Sequence, residues 1–336
     1  MLKKFVLFVF ALLALLLLCF FAPNVRKKEK TTFLLVPQNA TLSSITDSLK
    51  KKDVLFIPMS FYYFTRFSGY DKKIQSGRYA LTPGLSNLFL LNKLVKGRQE
   101  PIRITFNNIR TKEQLCARIT DQLMLDSLSL HQALSDEKML EPYGVNNETS
   151  VSIFLPDTYE VFWDISATEL LDKMYRAYTA FWTKERIEKA QQVALSSTEV
   201  IILASIVEEE SNLASEKPTI AGLYLNRLQR NMLLQADPTI KFALGDFTIK
   251  RIWSKHIEAT KQSPYNTYVN NGLPPGPIRI PEKQSIDAVL HYQKHDYYYM
   301  CAKGPGEIGH HFTNTYRTHI NNANRYRKEM NQLGIQ

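Results

Sequence analysis

Three consecutive carboxylates follow an apolar run near the middle of the chain. Residues 200–207 are almost entirely apolar, and Glu208, Glu209 and Glu210 come directly after them. A glutamate run is most often a solvated helix face. Carboxyl groups are also the usual acids and bases in the cleavage of glycosidic bonds. The position of each side chain on the helix therefore decides between these two interpretations.

Helical spacing separates Glu210 from the two acids before it. Residues three and four positions apart share a helix face. The neighbours of Glu210 at these distances are apolar or small: Ile206, Val207, Leu213 and Ala214. We expect Glu210 among these side chains and the other two acids on other faces. A carboxyl group in apolar surroundings loses the hydration of its charged form, which raises its pKa and suits it to general acid catalysis near neutral pH.

Several sequence blocks occur in the same order as in a known family. Residues 203–211, which include the three acids, resemble the signature of the endolytic murein transglycosylase family, also called YceG-like. The other blocks agree in order and approximate spacing: 156–159, 234–239, 265–268, 272–278 and 309–315. The resemblance extends over nearly the whole chain, from the amino-terminal apolar segment to the last helix.

The resemblance implies the chemistry of a lytic transglycosylase. Glu210 occupies the position of the family's catalytic glutamate. It would protonate the bond between N-acetylmuramic acid and N-acetylglucosamine, and then take the proton from the muramyl 6-hydroxyl. The product would carry a 1,6-anhydro ring, and no water would be consumed. The expected substrate is the nascent peptidoglycan glycan strand. Its internal cleavage would terminate elongation of the strand. The reaction would need no cofactor.

The family blocks also imply a set of substrate-binding side chains. Those expected to contact the glycan are Glu208, Gln235, Asp237, Thr239, Tyr265, Asn266, Tyr268, His310 and Phe312. Some of them have a structural alternative, because an Asp-Pro pair often caps a helix and tyrosines often pack beneath loops. The family usually has one histidine where this chain has His310 and His311, so the resemblance does not choose between them.

The histidines and cysteines do not predict a metal site. His291 and His295 have the spacing of neighbours on one helix face, but no third or fourth ligand follows at a suggestive distance. Cys116 and Cys301 show neither a metal pattern nor a disulfide framework and are expected to be buried thiols. The predicted site therefore contains no metal.

The pattern of short strands and helices predicts an α+β fold in two parts. Residues 31–100 alternate between the two, with a strand at 32–36 followed by a helix at 41–50. After them helices dominate, with a few strands and a loop rich in proline and glycine at 271–281. The resemblance implies that residues 31–100 form a small α/β module similar to the peptidoglycan-binding LysM domain. It also implies a mainly helical catalytic domain at 101–336.

An uninterrupted apolar segment at residues 5–22 predicts insertion into a membrane. Large residues stand where a signal peptidase needs small ones, which favours a retained transmembrane helix between a cytoplasmic tail at 1–4 and a linker at 23–30. Basic residues in the linker outnumber those in the tail, so charge alone would place the body in the cytoplasm. The very short basic tail is instead typical of an export signal, and we expect the body on the outer side of the inner (cytoplasmic) membrane.

The formal net charge of +10 indicates an anionic partner, such as membrane lipid or peptidoglycan carboxylates. Nucleic acid is the least expected partner, because the chain has a membrane segment and no recognised basic helix.

Two further functions stay open. One is a hydrolytic muramidase in which Glu208 or Asp237 supplies a second carboxylate. The other is a non-catalytic scaffold that binds peptidoglycan and organises peptidoglycan synthases at the membrane.

Overall fold

The structure, a computed structural model, describes residues 2–304 and 306–332. It has the mixed helix and strand architecture that the sequence predicts, and its strands form small two-stranded sheets. The chain folds into two compact units. Among the described residues, unit 1 comprises 2–104, 120–126 and 159–166, and unit 2 comprises 105–119, 127–158, 167–304 and 306–332. The proposed boundaries of a LysM-like module and a catalytic domain stay predictions.

The helices and strands lie along the chain as follows. The helices are α1 Leu2–Phe21, α2 Leu42–Lys51, α3 Pro58–Ser68, α4 Asn87–Val95, α5 Lys112–Thr120, α6 Ser127–Ala133, α7 Glu137–Leu140, α8 Ala167–Phe181, α9 Lys184–Gln192, α10 Ser197–Glu210, α11 Lys217–Gln229, α12 Asp237–Leu244, α13 Ser254–Ala259, α14 Lys283–Leu290 and α15 Tyr316–Gln332. The strands are β1 Thr32–Val36, β2 Gly77–Leu81, β3 Ile102–Phe106, β4 Asp157–Val161, β5 Tyr299–Ala302 and β6 His310–Thr313.

Unit 1 is built on the antiparallel pair of β1 and β2. The predicted strand at 32–36 is confirmed to the residue. The predicted helix after it is also confirmed, because α2 begins after Thr41, whose hydroxyl accepts a hydrogen bond from the amide of Ser44. The core of this unit includes Leu34, Leu49, Phe61, Tyr79, Leu90 and Leu94, all fully buried. Local signals in the sequence therefore predicted the first strand of this unit and the helix after it.

The helix α10 is the centre of unit 2. It packs against α11 and α14, and every residue from 200 to 207 is buried. A capping box fixes its start: the Ser196 hydroxyl accepts from the Glu199 amide, and the Glu199 carboxylate accepts from the Ser196 amide. Because neighbours cover the body of the helix, its ends are the parts that reach polar surroundings.

The amino-terminal apolar segment forms the helix α1. At its end, the ring of Phe20 lies 4.8 Å from that of Phe64 in α3. Large apolar side chains along the helix are exposed, among them Phe5, Leu7 and Phe8. In the described part of the chain, no individual helix meets the length and hydropathy expected of a membrane span, and only the bent pair of α9 and α10 does so jointly. The transmembrane anchor stays a prediction.

Candidate active site

Glu210 is the last residue of α10. The helix ends there because Ser211 adopts an extended conformation, with φ −147° and ψ 135°. Leu213 and Ala214 therefore lie outside the helix, and the prediction that they continue its apolar face was wrong. The preceding turn, at 206–207, is buried as predicted. Glu210 thus lies at the edge of the buried core, where the helix backbone ends.

Burial shifts the titration of Glu210 towards neutral pH. Desolvation raises the pKa of its carboxyl group to about 7, and the charge of Asp237 acts in the same direction. The hydroxyl of Tyr224 donates a hydrogen bond to Oε1 over 2.5 Å, and this bond limits the rise, as do the cations Lys241 and Arg227. Among the described residues, Oε2 accepts no hydrogen bond. Such a carboxyl group can both donate and accept a proton near pH 7.

Tyr224 and Arg227 both come from α11, and both are buried. Backbone carbonyls hold the Arg227 guanidinium group: Nε donates to Tyr298 over 2.6 Å, and Nη1 donates to Leu234 over 2.8 Å. Carbonyl oxygens carry no formal charge. The positive charge of Arg227 is therefore available to stabilise the carboxylate form of Glu210.

The other two acids of the run are bound to arginines. Arg279, which is buried, lies 2.9 Å from Glu208 through Nη2 and 2.8 Å from Glu209 through Nη1. Arg110 adds a 2.7 Å contact to Glu209, and Glu208 also accepts a 2.7 Å hydrogen bond from the amide of Glu282. We call Glu208, Glu209, Arg110 and Arg279 the Arg279 cluster. A role for Glu208 in substrate binding stays a prediction.

A cavity of about 680 Å³ opens beside Glu210. Its lining comprises Glu210, Leu223, Tyr224, Arg227, Leu234, Gln235, Asp237, Lys250, Arg251, Ile252, Tyr268, Met300, Cys301, Ala302, His310, His319, Ala323, Tyr326, Arg327 and Met330. Clefts that bind ligands commonly have volumes of roughly 300–1,000 Å³. The cavity is therefore large enough for several sugar-sized groups beside the carboxyl group.

Four of the predicted substrate-binding residues line this cavity: Gln235, Asp237, Tyr268 and His310. The hydroxyl of Tyr268 donates a hydrogen bond to Asp237 over 2.5 Å. Desolvation raises the pKa of Asp237, although the bond from Tyr268 opposes this. The backbone of Gln235 has a φ of +49° and donates its amide to the carbonyl of Thr267. The cavity thus holds a second carboxyl group with its own tyrosine partner.

Thr239, Asn266 and Tyr265 are absent from the described lining of the cavity. Thr239 is fully buried, and its hydroxyl lies 2.9 Å from that of Thr267. Asn266 is also fully buried and accepts a 2.9 Å hydrogen bond from the amide of Tyr268. Tyr265 packs against the core of unit 2. These contacts position the segments that carry lining residues, and direct contact with substrate stays a prediction for all three.

The strand β6 separates His310 from His311. Successive residues of a strand point to opposite faces; His310 lines the cavity, whereas His311 contacts Arg325 of α15 over 3.2 Å. Glu216 accepts hydrogen bonds from the His310 amide over 2.7 Å and pairs with its Nδ1 over 3.0 Å. Partial burial opposes the charge of Glu216, but these bonds hold the pKa of its carboxyl group below the usual value. Phe312 packs against the core of unit 2.

Sequence comparison places this arrangement in a known family. A profile of the YceG-like family matches residues 34–325, which include all the blocks described above. This chain belongs to the YceG-like family. Glu210, Asp237 and His310 of this YceG-like chain all lie within the matched region.

Relatives of this YceG-like chain cover most of its length. An endolytic murein transglycosylase of Bacillus subtilis (strain 168) is 29% identical over 324 residues, which cover 92% of this chain and 88% of the relative. One from Streptococcus pneumoniae (strain D39) is 25% identical over 304 residues, 80% of this chain and 53% of the relative. A crystal structure of a protein described as YceG-like, from Listeria monocytogenes, is 26% identical, has a TM-score of 0.57, and is matched over 88% of this chain and 99% of its own.

The sequence interpretation missed four side chains of this YceG-like site: Tyr224, Arg227, Arg279 and Glu216. An available signal was the position of Arg227 close to Leu223, Leu225 and Leu228 in α11, since a buried charge needs partners. No comparable signal marked Arg279, because its partners Glu208 and Glu209 lie 71 and 70 residues away.

The histidine pair considered as a metal site does not share a helix face. The helix α14 ends at Leu290, so His291 caps it and His295 lies beyond it. His295 Nε2 lies 2.9 Å from the carbonyl of Thr219. Within residues 2–304 and 306–332, no group of three or more potential metal ligands occurs.

Proposed function

We propose that this chain is an endolytic lytic transglycosylase that cleaves peptidoglycan strands between N-acetylmuramic acid and N-acetylglucosamine, with Glu210 as its acid and base. The observation that carries the proposal is the state of Glu210, a carboxyl group in a large cavity with a pKa of about 7. The activity named for the Bacillus and Streptococcus relatives supports the same reaction.

The reaction uses one carboxyl group twice. Protonated Glu210 donates its proton to the glycosidic oxygen as the bond to the muramyl C1 breaks and C1 gains the character of an oxocarbenium ion. The resulting carboxylate then removes the proton from the muramyl 6-hydroxyl, whose oxygen forms the new bond to C1. Glu210 returns to its protonated form, the strand ends in a 1,6-anhydro ring, and no water enters.

The hydrogen bond from Tyr224 suits both steps. It occupies Oε1 and leaves Oε2 to face the glycosidic oxygen and then the 6-hydroxyl. It also stabilises the carboxylate between the two transfers, which keeps the pKa near neutrality despite burial. An acid with a much higher pKa would be a weak proton donor, and one with a lower pKa would rarely be protonated.

The test is product analysis by mass spectrometry on purified glycan strands. The wild-type chain is expected to leave 1,6-anhydro ends, and Glu210→Gln is expected to lower the rate about 1,000-fold. Glu199→Gln is the matched control on the same helix, since glutamine keeps the capping box, and it should retain the rate. Full activity of Glu210→Gln would rule out this residue and favour a non-catalytic peptidoglycan-binding scaffold.

A hydrolytic muramidase is the second candidate, and Asp237 is the observation that favours it. Asp237 lines the same cavity and raises the pKa of Glu210, as a second carboxylate would. Desolvation also raises the pKa of Asp237, which lowers the fraction of this group that is present as the carboxylate a base or nucleophile needs. Reducing muramic acid ends in the same mass spectra, each heavier by one water, would replace the transglycosylase by the hydrolase.

The remaining parts of the proposal concern location and partners. The order β1, α2, α3, β2, closed by antiparallel pairing, supports a LysM-like peptidoglycan-binding module at 31–100. The exposed apolar side chains of α1 support a transmembrane anchor at 5–22. The very short basic tail before it is typical of an export signal and supports a body outside the inner membrane. There the enzyme would reach nascent strands and contact peptidoglycan synthases. A periplasmic reporter fused to the carboxyl terminus tests this topology.

A further inference from the structure

Positive charge exceeds negative charge in the cavity beside Glu210. Four cations belong to its lining: Arg227, Lys250, Arg251 and Arg327. The carboxyl groups of the same lining are Glu210 and Asp237, and desolvation raises the pKa of each. Neither histidine of the lining balances this excess, because imidazoles carry no negative charge. The described lining is therefore cationic while Glu210 is protonated.

Backbone carbonyls hold Arg227, and the other three cations are considered together. Among the described residues, Lys250, Arg251 and Arg327 form no salt bridge. The guanidinium group of Arg251 lies 4.1 Å from the ring of Trp253, and that of Arg327 donates to the side-chain oxygen of Asn324 over 2.9 Å. We call Lys250, Arg251 and Arg327 the cationic wall.

The cationic wall comes from two separate parts of unit 2. Lys250 and Arg251 precede α13, whereas Arg327 lies in α15. Two segments that are distant in sequence thus bring unpaired cations to one cavity. Like charges that converge without a counter-charge repel one another, and this repulsion costs free energy unless a ligand compensates it.

The proposed reaction also favours an anionic group beside the cationic wall. Cleavage of the glycosidic bond develops positive charge at the muramyl C1, and the neighbouring cations oppose it. An anionic group of the substrate, bound between the wall and the sugar, would remove this opposition. The free carboxylates of the stem peptides are the anionic groups carried by the muramyl residue itself.

Resting on the proposed function, we propose that the cationic wall is a subsite for the stem-peptide carboxylates of the glycan strand. Arginine binds carboxylates through paired hydrogen bonds, and lysine adds a point charge. The subsite gives the enzyme a preference for peptide-bearing strands over neutral ones of the same length. It also accounts for the concentration of cations at the cavity in a chain with a net charge of +10.

The test compares native peptide-bearing strands with the same strands after methylamine coupling of their carboxyl groups, which keeps the peptides and removes their negative charge. The wild-type enzyme is expected to show a KM about tenfold lower for native strands, the size expected of one charge-assisted hydrogen bond. The double variant Arg251→Gln and Arg327→Gln should lose most of this preference. The charge-conserving variant with lysine at both positions should retain a large part of it.

Lys328→Gln is the matched control, because it removes a positive charge from the next position of α15, outside the described lining. It should keep the full preference. An equal KM for the two strands, or a preference that survives in the double variant, would overturn the subsite. Inhibition by inorganic pyrophosphate without any effect of amidation would assign the wall to phosphate groups and overturn the carboxylate assignment.

A binding measurement separates this inference from the proposed function. The Kd of both strands is measured on Glu210→Gln, in the otherwise wild-type chain and with the Arg251 and Arg327 substitutions. Tighter binding of native strands that depends on these arginines supports the subsite even if no strand is cleaved, in which case only the proposed activity falls. If native and amidated strands bind equally while 1,6-anhydro ends still form, the subsite is overturned and the proposed activity stands.

Discussion

The carboxyl-terminal end of α10 holds three consecutive glutamates in two different electrostatic environments. Glu208 and Glu209 form salt bridges within the Arg279 cluster. Glu210 instead accepts one hydrogen bond from a neutral tyrosine, and its pKa rises to about 7. The end of a helix carries partial negative charge, so each of these carboxylates is unfavourable there without compensation. Arginines compensate two of them, and the third is left with the property that a proton donor needs.

This difference sets opposite expectations for stability. Removal of one partner of a buried ion pair leaves the other charge without compensation, which is more costly than the pair itself. Removal of a carboxylate that lacks a compensating positive charge should instead stabilise the folded state. The Arg279 cluster should therefore behave as a structural element and Glu210 as a functional one that opposes stability.

The largest expected effect is at Arg279. Arg279→Met leaves Glu208, whose side chain is 7% exposed, without its cation. We expect the free energy of unfolding to fall by about 3–5 kcal/mol, measured by chemical denaturation. Lys184→Met, at a side chain that is 92% exposed, should change it by less than about 1 kcal/mol. If both variants behave alike, the Arg279 cluster has no structural role.

Glu210→Gln should increase stability at alkaline pH. The pKa of Glu210 is about 7 in the folded chain and 4.5 in its unperturbed state. The stability that comes from its protonation is fully present below pH 4.5 and is lost as the pH rises through 7. The neutral glutamine avoids this loss, so we expect a gain of about 2 kcal/mol in the free energy of unfolding at pH 8 and none at pH 4.

The neighbouring acid provides the contrast for this measurement. Glu208→Gln removes a charge from the same helix end but breaks a salt bridge to Arg279. It should lower the free energy of unfolding at pH 8. An equal response of the Glu208 and Glu210 variants would mean that the two environments do not differ in the way described.

Tyr224→Phe should move the pH dependence of the reaction. Loss of the hydroxyl removes a hydrogen bond that lowers the pKa of Glu210. The fall in kcat as Glu210 loses its proton should therefore move upward by about one pH unit. Tyr143→Phe removes a tyrosine–carboxylate bond of 2.8 Å outside the cavity and should leave the profile in place. A lower rate with an unmoved profile would contradict the assigned role of Tyr224.

The smallest expected effect is at the other end of α10. Ser196→Ala removes the capping hydroxyl, and we expect a loss of about 1 kcal/mol in the free energy of unfolding. Because this change loosens the helix without touching its acids, the pH dependence of stability should match that of the wild-type chain. A changed pH dependence would show that the two ends of α10 are coupled and would weaken the contrast between Glu208 and Glu210.

Unit 1 could be predicted closely because its signals are local. The strand at 32–36 and the Thr41 cap depend on side chains within a few residues of one another. The end of α10 could not be predicted in this way, since apolar residues at 213 and 214 continue the helical spacing after the backbone has left it. The strand β6 was also missed, because it has only four residues, too few to show a clear alternation of apolar and polar side chains.

The sequence by itself determined that Glu210 is the candidate acid, because helical spacing and the family blocks are both properties of nearby residues. Only the tertiary structure decided its partners. Tyr224 belongs to the next helix, and Arg279 and Arg110 reach the acids from 70 and 99 residues away. The spacing of a helix states which residues share a face, but the segments that pack against that face determine which carboxylate is paired and which keeps its proton.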